Sequence, residues 1–318
     1  MALWTKYHQP VTVEEGLAFL AQHGGAARVV SGGTDLLLEM QQGHKPPVAA
    51  LVDVTGVAEM MALEVQNGRI HLGAAVTHTQ IVKSDLLVQQ ATCLVESCGV
   101  IGGPQVRNVA TLGGNVAHAL PAADGTTALV VLDAEVEVAA TNGRFWHPIL
   151  SLFKGPGKSA VDHSRELITR FRFEGTPLGT GTAFKRIMRP QGVALPILAC
   201  AVWVKVAQPV NGRSSATNEA KIDYEQVPIA DVRVCIGPVK PTPCRAVQAE
   251  AALRGRSLAD GLDECVAAAQ AEFSPRTSKH RATADYRREM IEVLLRRSLP
   301  LALHRAATGT AVPEGVGL

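Results

Sequence analysis

Two glycine-rich loops carry the residue types that could bind a phosphate group. The first, Val29–Leu36, has the sequence VVSGGTDL and is predicted to lie between a strand and a helix. Glycine adopts backbone conformations that other residues rarely adopt, so consecutive N–H groups can converge on an anion. Ser31 and Thr34 add hydroxyl groups, and the helix N-terminus adds the positive end of its dipole. These groups could bind a pyrophosphate without lysine or arginine, although a simple strand–helix turn has the same composition.

A second glycine-rich segment, Thr111–Asn115 with the sequence TLGGN, lies within the stretch from Gly99 to Asp124. That stretch shows neither helical nor strand periodicity, and long irregular stretches inside a compact domain usually have a function. Two such loops in one α/β region favour a shared ligand, which we expect the backbone amides of both loops to bind. A β-branched residue at Gly33 or Gly114 would then prevent binding, because it strains a backbone with positive φ and blocks a phosphate.

Several other nucleotide and metal motifs are excluded. No G-x-G-x-x-G sequence follows a predicted strand, which argues against a Rossmann dinucleotide site. Leu152–Ser159 (LFKGPGKS) resembles a Walker A loop, but leucine occupies the first glycine position and Pro156 lies inside it. The six cysteines include no C-x-x-C pair, so we expect reduced, buried thiols rather than a zinc or iron–sulfur site. His78 and His118 are interpreted as structural or solvated side chains, because a functional histidine needs an identifiable partner.

Composition and charge indicate a globular protein that binds no nucleic acid and does not insert into membranes. Of the 318 residues, 47% are hydrophobic and 19% are charged, and the formal net charge is +2. The apolar stretches are too short or too interrupted to span a bilayer, and the first ten residues contain no signal-peptide core. A cytoplasmic location is therefore expected, and the length allows two modest domains.

Hydrophobic periodicity predicts the elements that must position the two loops. Residues 1–60 and residues 61–176 are each expected to form a small α/β unit. The predicted helices of these units are Val13–Gln22, Asp35–Gln42, one that begins at Thr79 with Thr77 or Thr79 as its cap, and Ala128–Leu132, helical or extended. The predicted strands are Arg28–Ser31, Leu51–Val54, Arg69–Ala74, Glu135–Ala140 and Arg165–Arg172.

The remainder of the chain is predicted to form a smaller domain. A linker at Glu174–Thr182 precedes it, and residues 182–300 are expected to combine an antiparallel sheet with helices. The predicted elements are strands at Ala199–Val206 and Asp231–Gly237 and helices near Gly261–Phe273 and Ala284–Leu299. We expect Gln208–Lys221 to be a polar, disordered hairpin tip and residues 301–318 to be a tail.

Taken together, these motifs resemble the flavin signature of the FAD-binding (medium) subunits of the xanthine dehydrogenase and carbon monoxide dehydrogenase family. The resemblance rests on both glycine loops with Pro121 and Asp124, and it follows the family's order across most of residues 5–300. The other matching segments are Gly102–Asn108, Phe153–Gly157, Phe184–Lys185 with Arg189, Ala284–Arg288 and Leu294–Arg297. It implies an α+β fold class, in which a two-subdomain α/β FAD-binding domain of the PCMH or vanillyl-alcohol-oxidase type precedes the C-terminal domain.

The resemblance also implies which residues contact a non-covalently bound FAD. The first loop would surround the pyrophosphate, and the second would contact the phosphate and ribityl part. Asp124 would contact the adenosine part, Ile101 would form an apolar wall, and Leu167 and Lys185 would lie nearer the isoalloxazine edge. The complete implied set is Val30, Ser31, Gly32, Gly33, Thr34, Asp35, Leu36, Ile101, Thr111, Gly114, Asn115, Asp124, Leu167 and Lys185.

The assembly that the resemblance implies is an (αβγ)2 complex with a molybdopterin-binding large subunit and a small subunit that carries two 2Fe–2S clusters. The large subunit would oxidise the substrate, and FAD would pass the electrons from the clusters to an acceptor such as NAD. No catalytic side chain is implied in this chain. Asn115 and Asp124 are nine positions apart with no cysteine between them, which argues against the additional iron–sulfur cluster of some relatives.

Two alternatives stay open. A self-contained flavin oxidase or reductase of the same fold would need its own substrate domain, and the roughly 130 residues after the linker show no cluster of acid–base groups. A non-enzymatic nucleotide-sensing or assembly module would hold no reducible flavin.

Overall fold

The chain folds into two α/β units followed by a third unit of sheet and helices. A computed structural model describes residues 2–189, 194–207 and 223–316. The predicted α+β class, with two subdomains and a C-terminal domain, is confirmed. The predicted hairpin tip at Gln208–Lys221 lies outside the described residues.

The first unit is a three-stranded parallel sheet with the strand order β1-β3-β2. Its elements are β1 (Lys6–His8), α1 (Val13–Gln22), β2 (Ala27–Val30), α2 (Leu36–Gln41) and β3 (Ala50–Asp53). Helix α1 begins at the cap Thr12, whose hydroxyl accepts from the Glu15 N–H group at 3.1 Å. The first glycine loop continues directly from β2, so it leaves the sheet at the carboxyl end of that strand.

The second unit is a five-stranded antiparallel sheet with the order β4-β5-β10-β6-β7, covered by helices. Its strands, with a separate short hairpin β8–β9, are β4 (Leu63–Gln66), β5 (Arg69–Gly73), β6 (Glu135–Ala140), β7 (Gly143–Pro148), β8 (Phe153–Gly155), β9 (Lys158–Ser159) and β10 (Leu167–Glu174). Its helices are α3 (His78–Val82), α4 (Asp85–Gln90), α5 (Thr92–Gly99), α6 (Pro104–Arg107), α7 (Leu112–Ala117) and α8 (Asp124–Val131). Every residue of α5 and α8 is buried, so these two helices form the centre of the core.

The C-terminal unit packs helices on a three-stranded antiparallel sheet, β11-β12-β13. Its elements are β11 (Thr180–Ile187), β12 (Leu198–Val206), β13 (Ile229–Gly237), α9 (Val247–Leu253), α10 (Leu258–Glu272) and α11 (Ala284–Thr308). Strand β11 also packs against α5. This contact joins the C-terminal unit to the core of the second unit. None of the described helices has the length and the apolar character that crossing a membrane requires.

Two local predictions are wrong, and one helix of the C-terminal unit was missed. The stretch from Gly99 to Asp124 is not irregular throughout, since it contains α6 and α7. These helices have four and six residues, too few for helical periodicity to show in the sequence. Helix α9 was not predicted. Helix α11 does not end near Leu299, and residues 301–308 of the predicted tail belong to it. The helix continues through Pro300 to Thr308, because tertiary packing of its buried side chains outweighs the local cost of a proline.

The cysteines behave as the sequence predicts. All six are free, five are buried, and Cys244 is partly buried. Burial raises the pKa of the Cys93 thiol to about 12, and it raises that of Cys200 to the same value. These thiols therefore remain protonated and unreactive at neutral pH.

Candidate functional site

One cavity collects nearly all of the predicted site residues. It has a volume of about 750 Å³ and is lined by all three units of the fold. Such a volume suits a small molecule or cofactor. Thirteen of the fourteen predicted residues line it: Val30, Ser31, Gly32, Gly33, Thr34, Asp35, Leu36, Ile101, Thr111, Gly114, Asn115, Asp124 and Leu167. The two glycine loops therefore face a common space.

Gly32 allows the first loop to contact the backbone that leads into the second loop. A Cβ atom at this position would lie 2.2 Å from the Val109 carbonyl oxygen and 2.7 Å from the Ala110 Cα atom. These are backbone atoms, so they cannot move aside as a flexible side chain would. A glycine at position 32 is thus required by the close approach of the Val109–Ala110 backbone rather than by its own φ angle.

The first loop offers unpaired donors to the cavity. Among the described residues, the backbone N–H groups of Gly32, Gly33 and Thr34 have no hydrogen-bond acceptor. The Ser31 hydroxyl is buried and also lacks a partner in that part of the chain. Gly33 has a φ of +69°, which brings successive amides to the same side. Helix α2 has only six residues, so these loop amides, rather than its dipole, make the loop suitable for an anion.

The second loop differs, because its amides are already paired within the protein. Gly113 N–H donates to the Ala74 carbonyl at 2.8 Å, Gly114 N–H to the Thr111 hydroxyl at 3.2 Å, and Asn115 N–H to the Thr111 carbonyl at 3.0 Å. The Asn115 Oδ1 atom accepts from the Thr126 N–H group at 3.2 Å, which leaves the Nδ2 group as its ligand donor. The expectation that both loops bind through backbone amides is therefore supported only for the first.

Asp124 forms a buried ion pair at the edge where the C-terminal unit meets the cavity. Its Oδ2 atom accepts from Arg186 Nη1 at 2.7 Å, and both side chains are less than 10% exposed. Burial raises the pKa of Asp124 to about 7, against the opposing effect of the Arg186 guanidinium. Its other carboxyl oxygen is buried without a partner among the described residues. Asp124 can therefore form a hydrogen bond with a ligand, while the ion pair with Arg186 fixes the position of the Asp124 carboxylate.

Lys185 is the one predicted residue that the structure does not bring into the cavity. Successive residues of a strand face opposite sides of the sheet, and both Lys185 and Arg186 belong to β11. Arg186 lines the cavity, whereas Lys185 pairs with Glu314 near the C-terminus. The side chain of β11 that lines the cavity is therefore that of Arg186, the neighbour of the predicted Lys185.

Three histidines line the same cavity, namely His78, His118 and His163. The sequence led us to interpret the first two as structural or solvated side chains. His78 is only 1% exposed, and its Nδ1 atom has no partner within the described chain. Burial, with a smaller effect of Arg107, lowers the pKa of His78 to about 4, so its imidazole is neutral at pH 7. The Nε2 atom of His163 is likewise buried and unpaired in the described part, and burial lowers the pKa of His163. His118 lies 3.9 Å from the Asp35 carboxylate.

Comparison with protein families shows the family to which the chain belongs. Residues 3–173 match the model of the FAD binding domain in molybdopterin dehydrogenase, and residues 182–301 match that of the CO dehydrogenase flavoprotein C-terminal domain. The chain belongs to the FAD-binding molybdopterin dehydrogenase family. The resemblance stated from its motifs is therefore confirmed.

Individual relatives of this FAD-binding chain are similar along nearly their whole length. A xanthine dehydrogenase FAD-binding subunit from Escherichia coli O157:H7 is 27% identical over 307 residues, which cover 95% of this chain and 97% of the relative. A carbon monoxide dehydrogenase medium chain from Hydrogenophaga pseudoflava is 25% identical over 302 residues, covering 95% and 98%. A solved carbon monoxide dehydrogenase structure from Hydrogenophaga pseudoflava superimposes with a TM-score of 0.83 at 26% identity, covering 94% of this chain and 97% of that one.

The groups that line the cavity fit FAD. Three loop amides without an acceptor among the described residues suit a pyrophosphate. The buried atoms of Ser31, His78, Asp124 and His163, which also have no partner there, suit a ligand with hydroxyl groups and ring heteroatoms. Apolar side chains such as Ile101 and Leu167 can cover a flat ring. In contrast, within residues 2–189, 194–207 and 223–316 no three His, Cys, Asp or Glu side chains form a group that could hold a metal ion.

His78 should make the stability of the FAD-free chain depend on pH. Its pKa is about 4 in the folded chain and 6.5 as the reference value, so the unfolded state binds the extra proton between these values. Stability from this group is complete above pH 6.5 and is lost as the pH falls towards 4, by about 3 kcal/mol at most. In denaturant unfolding, the difference in unfolding free energy between the native chain and His78→Gln should be larger at pH 7 than at pH 4 by that amount, because all other titrating groups, Asp124 included, are common to both chains.

The control for this measurement is His44→Gln, since His44 is exposed. It should retain the pH dependence of the native chain. An unchanged pH dependence in His78→Gln would show that His78 is not held neutral by burial.

Proposed function

We propose that this chain is the FAD-binding electron-transfer subunit of a heteromeric molybdenum hydroxylase, an oxidoreductase component that passes electrons from 2Fe–2S clusters through FAD to an acceptor such as NAD. The observation that carries the proposal is the cavity between the two loops. Thirteen residues that the family resemblance implies for FAD line this cavity. Within the described chain it also presents loop amides without an acceptor and buried polar atoms without a partner.

Each part of the cavity would have a distinct role in holding FAD. The amides of Gly32, Gly33 and Thr34 would bind the pyrophosphate, and Asp124 would accept a hydrogen bond from a hydroxyl or amino group. Ile101 and Leu167 would exclude water with their apolar side chains. Bound FAD supplies the redox chemistry, since it can exchange electrons with one-electron and two-electron partners. The chain itself binds and orients it, and we assign no catalytic side chain.

The proposed partners are a large subunit with the molybdenum cofactor and a small subunit with the 2Fe–2S clusters, in an (αβγ)2 assembly. Support comes from the names of the relatives, which are a medium chain and an FAD-binding subunit and so imply further subunits. A cytoplasmic location also remains part of the proposal, and six cysteines without a disulfide are consistent with it.

The test separates electron transfer from substrate oxidation. We expect NADH to bleach the visible absorbance of FAD on the purified chain under anaerobic conditions, while the same chain oxidises no purine, aldehyde or N-heterocycle. Bleaching by dithionite but not by NADH would contradict NAD as the acceptor. Substrate oxidation by the chain alone would contradict the subunit assignment and favour the self-contained flavoenzyme.

The control for this test is the chain after removal of FAD. Without FAD, addition of NADH should produce no bleaching and no NADH oxidation. NADH oxidation that persists without FAD would indicate a contaminating enzyme.

A further inference from the structure

The residues after the last helix fold back onto the FAD-binding domain. Helix α11 ends at Thr308, and Gly309, with a φ of +69°, reverses the chain direction. The match to the C-terminal family model ends at residue 301, so the segment 310–316 lies beyond it. We call residues 310–316 the C-terminal segment.

A buried carboxylate fixes the C-terminal segment to helix α5. Glu96 is 1% exposed, and its Oε1 atom accepts from the Glu314 N–H group at 2.8 Å and from Arg305 Nη2 at 2.6 Å. Its Oε2 atom accepts from the Phe184 N–H group at 2.7 Å. Arg305 also donates to the Val312 carbonyl. One buried ion pair therefore connects α5, β11, α11 and the C-terminal segment.

Lys185 supplies a second attachment. It forms an ion pair with Glu314, on the side of β11 opposite to the cavity. This pair explains a lysine at a position where the motif alone suggested a flavin contact. Strand β11 thus contacts the cavity through Arg186 and the C-terminal segment through Lys185.

The end of the C-terminal segment packs against the beginning of residues 99–103, which we call the cavity loop because Ile101 and Gly102 line the cavity. A Cβ atom on Gly99 would lie 2.9 Å from the Val316 Cγ1 atom, and Val316 packs against the main hydrophobic core. Gly99 is the last residue of α5, and Ile101 and Gly102, which follow, line the cavity. At the other side, Arg107 Nη1 donates to the Gly102 carbonyl at 3.0 Å.

We propose that the C-terminal segment is a positioning element of the FAD site, with Val316 as its contact residue. Gly102 has a φ of +55°, and glycine at 99, 102 and 103 leaves the loop backbone little intrinsic stiffness. Val316 and Arg107 therefore hold the loop from its two ends and keep Ile101 at the cavity wall. The inference rests on the proposal that this cavity binds FAD.

The test compares two valines of the same segment. Val316→Ser removes the packing on Gly99, whereas Val312, with 69% of its surface exposed, gives the matched control Val312→Ser. We expect Val316→Ser to weaken FAD binding by about fivefold or more, in the usual range for coupling between sites. Hydrogen exchange at amides 99–107 of the FAD-loaded chain should accelerate as well. Val312→Ser should change neither quantity, and Val316→Ile should retain native binding.

The outcomes distinguish this inference from the proposed function. Native chain that binds no FAD would contradict the site itself. Native and Val316→Ser chains with equal FAD affinity and equal exchange at 99–107 would contradict the positioning role alone. If Val316→Ser lowers the unfolding temperature but its folded fraction binds FAD with native affinity, Val316 is only structural and the inference fails.

Discussion

Replacing Gly33 with valine is expected to weaken FAD binding by at least about a hundredfold, so that the purified chain is colourless. Gly33 has a φ of +69°, and a Cβ atom there would lie 2.9 Å from the Leu37 Cδ1 atom. For a β-branched residue, keeping this conformation costs about 1–3 kcal/mol. The backbone of valine is therefore expected to leave it, and this change turns the neighbouring amides away from a phosphate. FAD content by absorbance and the dissociation constant by titration both measure the effect.

The control for Gly33→Val is Gly43→Val. Gly43 has a similar φ of +74°, no atom lies within 4 Å of its Cβ position, and it is not among the residues that line the cavity. Both variants therefore share the backbone strain, and only the first affects the cavity. Full FAD occupancy in Gly33→Val would show that the first loop does not bind the pyrophosphate.

Gly114 should be less sensitive than the sequence suggested. It has no positive φ, and a Cβ atom there would meet only the Thr111 Oγ1 atom, at 3.2 Å. Any loss of FAD in Gly114→Val would come from the volume of the side chain, not from backbone strain.

Replacing Arg305 with methionine is expected to lower the free energy of unfolding by about 3–5 kcal/mol, because removal of one partner leaves a buried charge uncompensated. Arg305 and Glu96 are 3% and 1% exposed, and their side-chain atoms lie 2.6 Å apart. Denaturant unfolding measures the loss. Adding Glu96→Gln should restore part of it, since that change removes the unpaired charge and keeps an acceptor.

The control for Arg305 lies on the same helix. Arg296 pairs with Asp263 and Glu292 at the surface, where such pairs contribute little to stability, so Arg296→Met should leave the unfolding midpoint nearly unchanged. Equal destabilisation by Arg305→Met and Arg296→Met would contradict the role of the buried pair.

The sequence predicted which residues line the cavity better than which of their groups are available to a ligand. The composition of the first loop indicated an anion site, and the amides of Gly32 and Gly33 have no acceptor within the part of the chain that the structure describes. The pairing of the Gly113 and Gly114 amides could not be predicted, since their acceptors depend on how Thr111 and Ala74 meet in three dimensions.

The sequence did not predict that Arg186 and His78 line the cavity, for different physical reasons. Which of the neighbours Lys185 and Arg186 faces the cavity depends on the register of β11, which a motif does not specify. A single histidine belongs to no motif with a defined spacing. Only the structure therefore shows that His78 is buried at the cavity, with an Nδ1 atom that has no partner among the described residues. The C-terminal segment shows no periodic pattern, and its role depends on a contact with Glu96, 218 residues earlier in the chain.

The most direct test of the central claim counts the FAD molecules bound by the purified chain. The account predicts one FAD per chain after incubation with FAD and removal of the excess, with the yellow colour released into the supernatant by acid precipitation. A chain that retains no FAD under these conditions would contradict the assignment of the cavity. Colour that stays with the precipitate would contradict non-covalent binding.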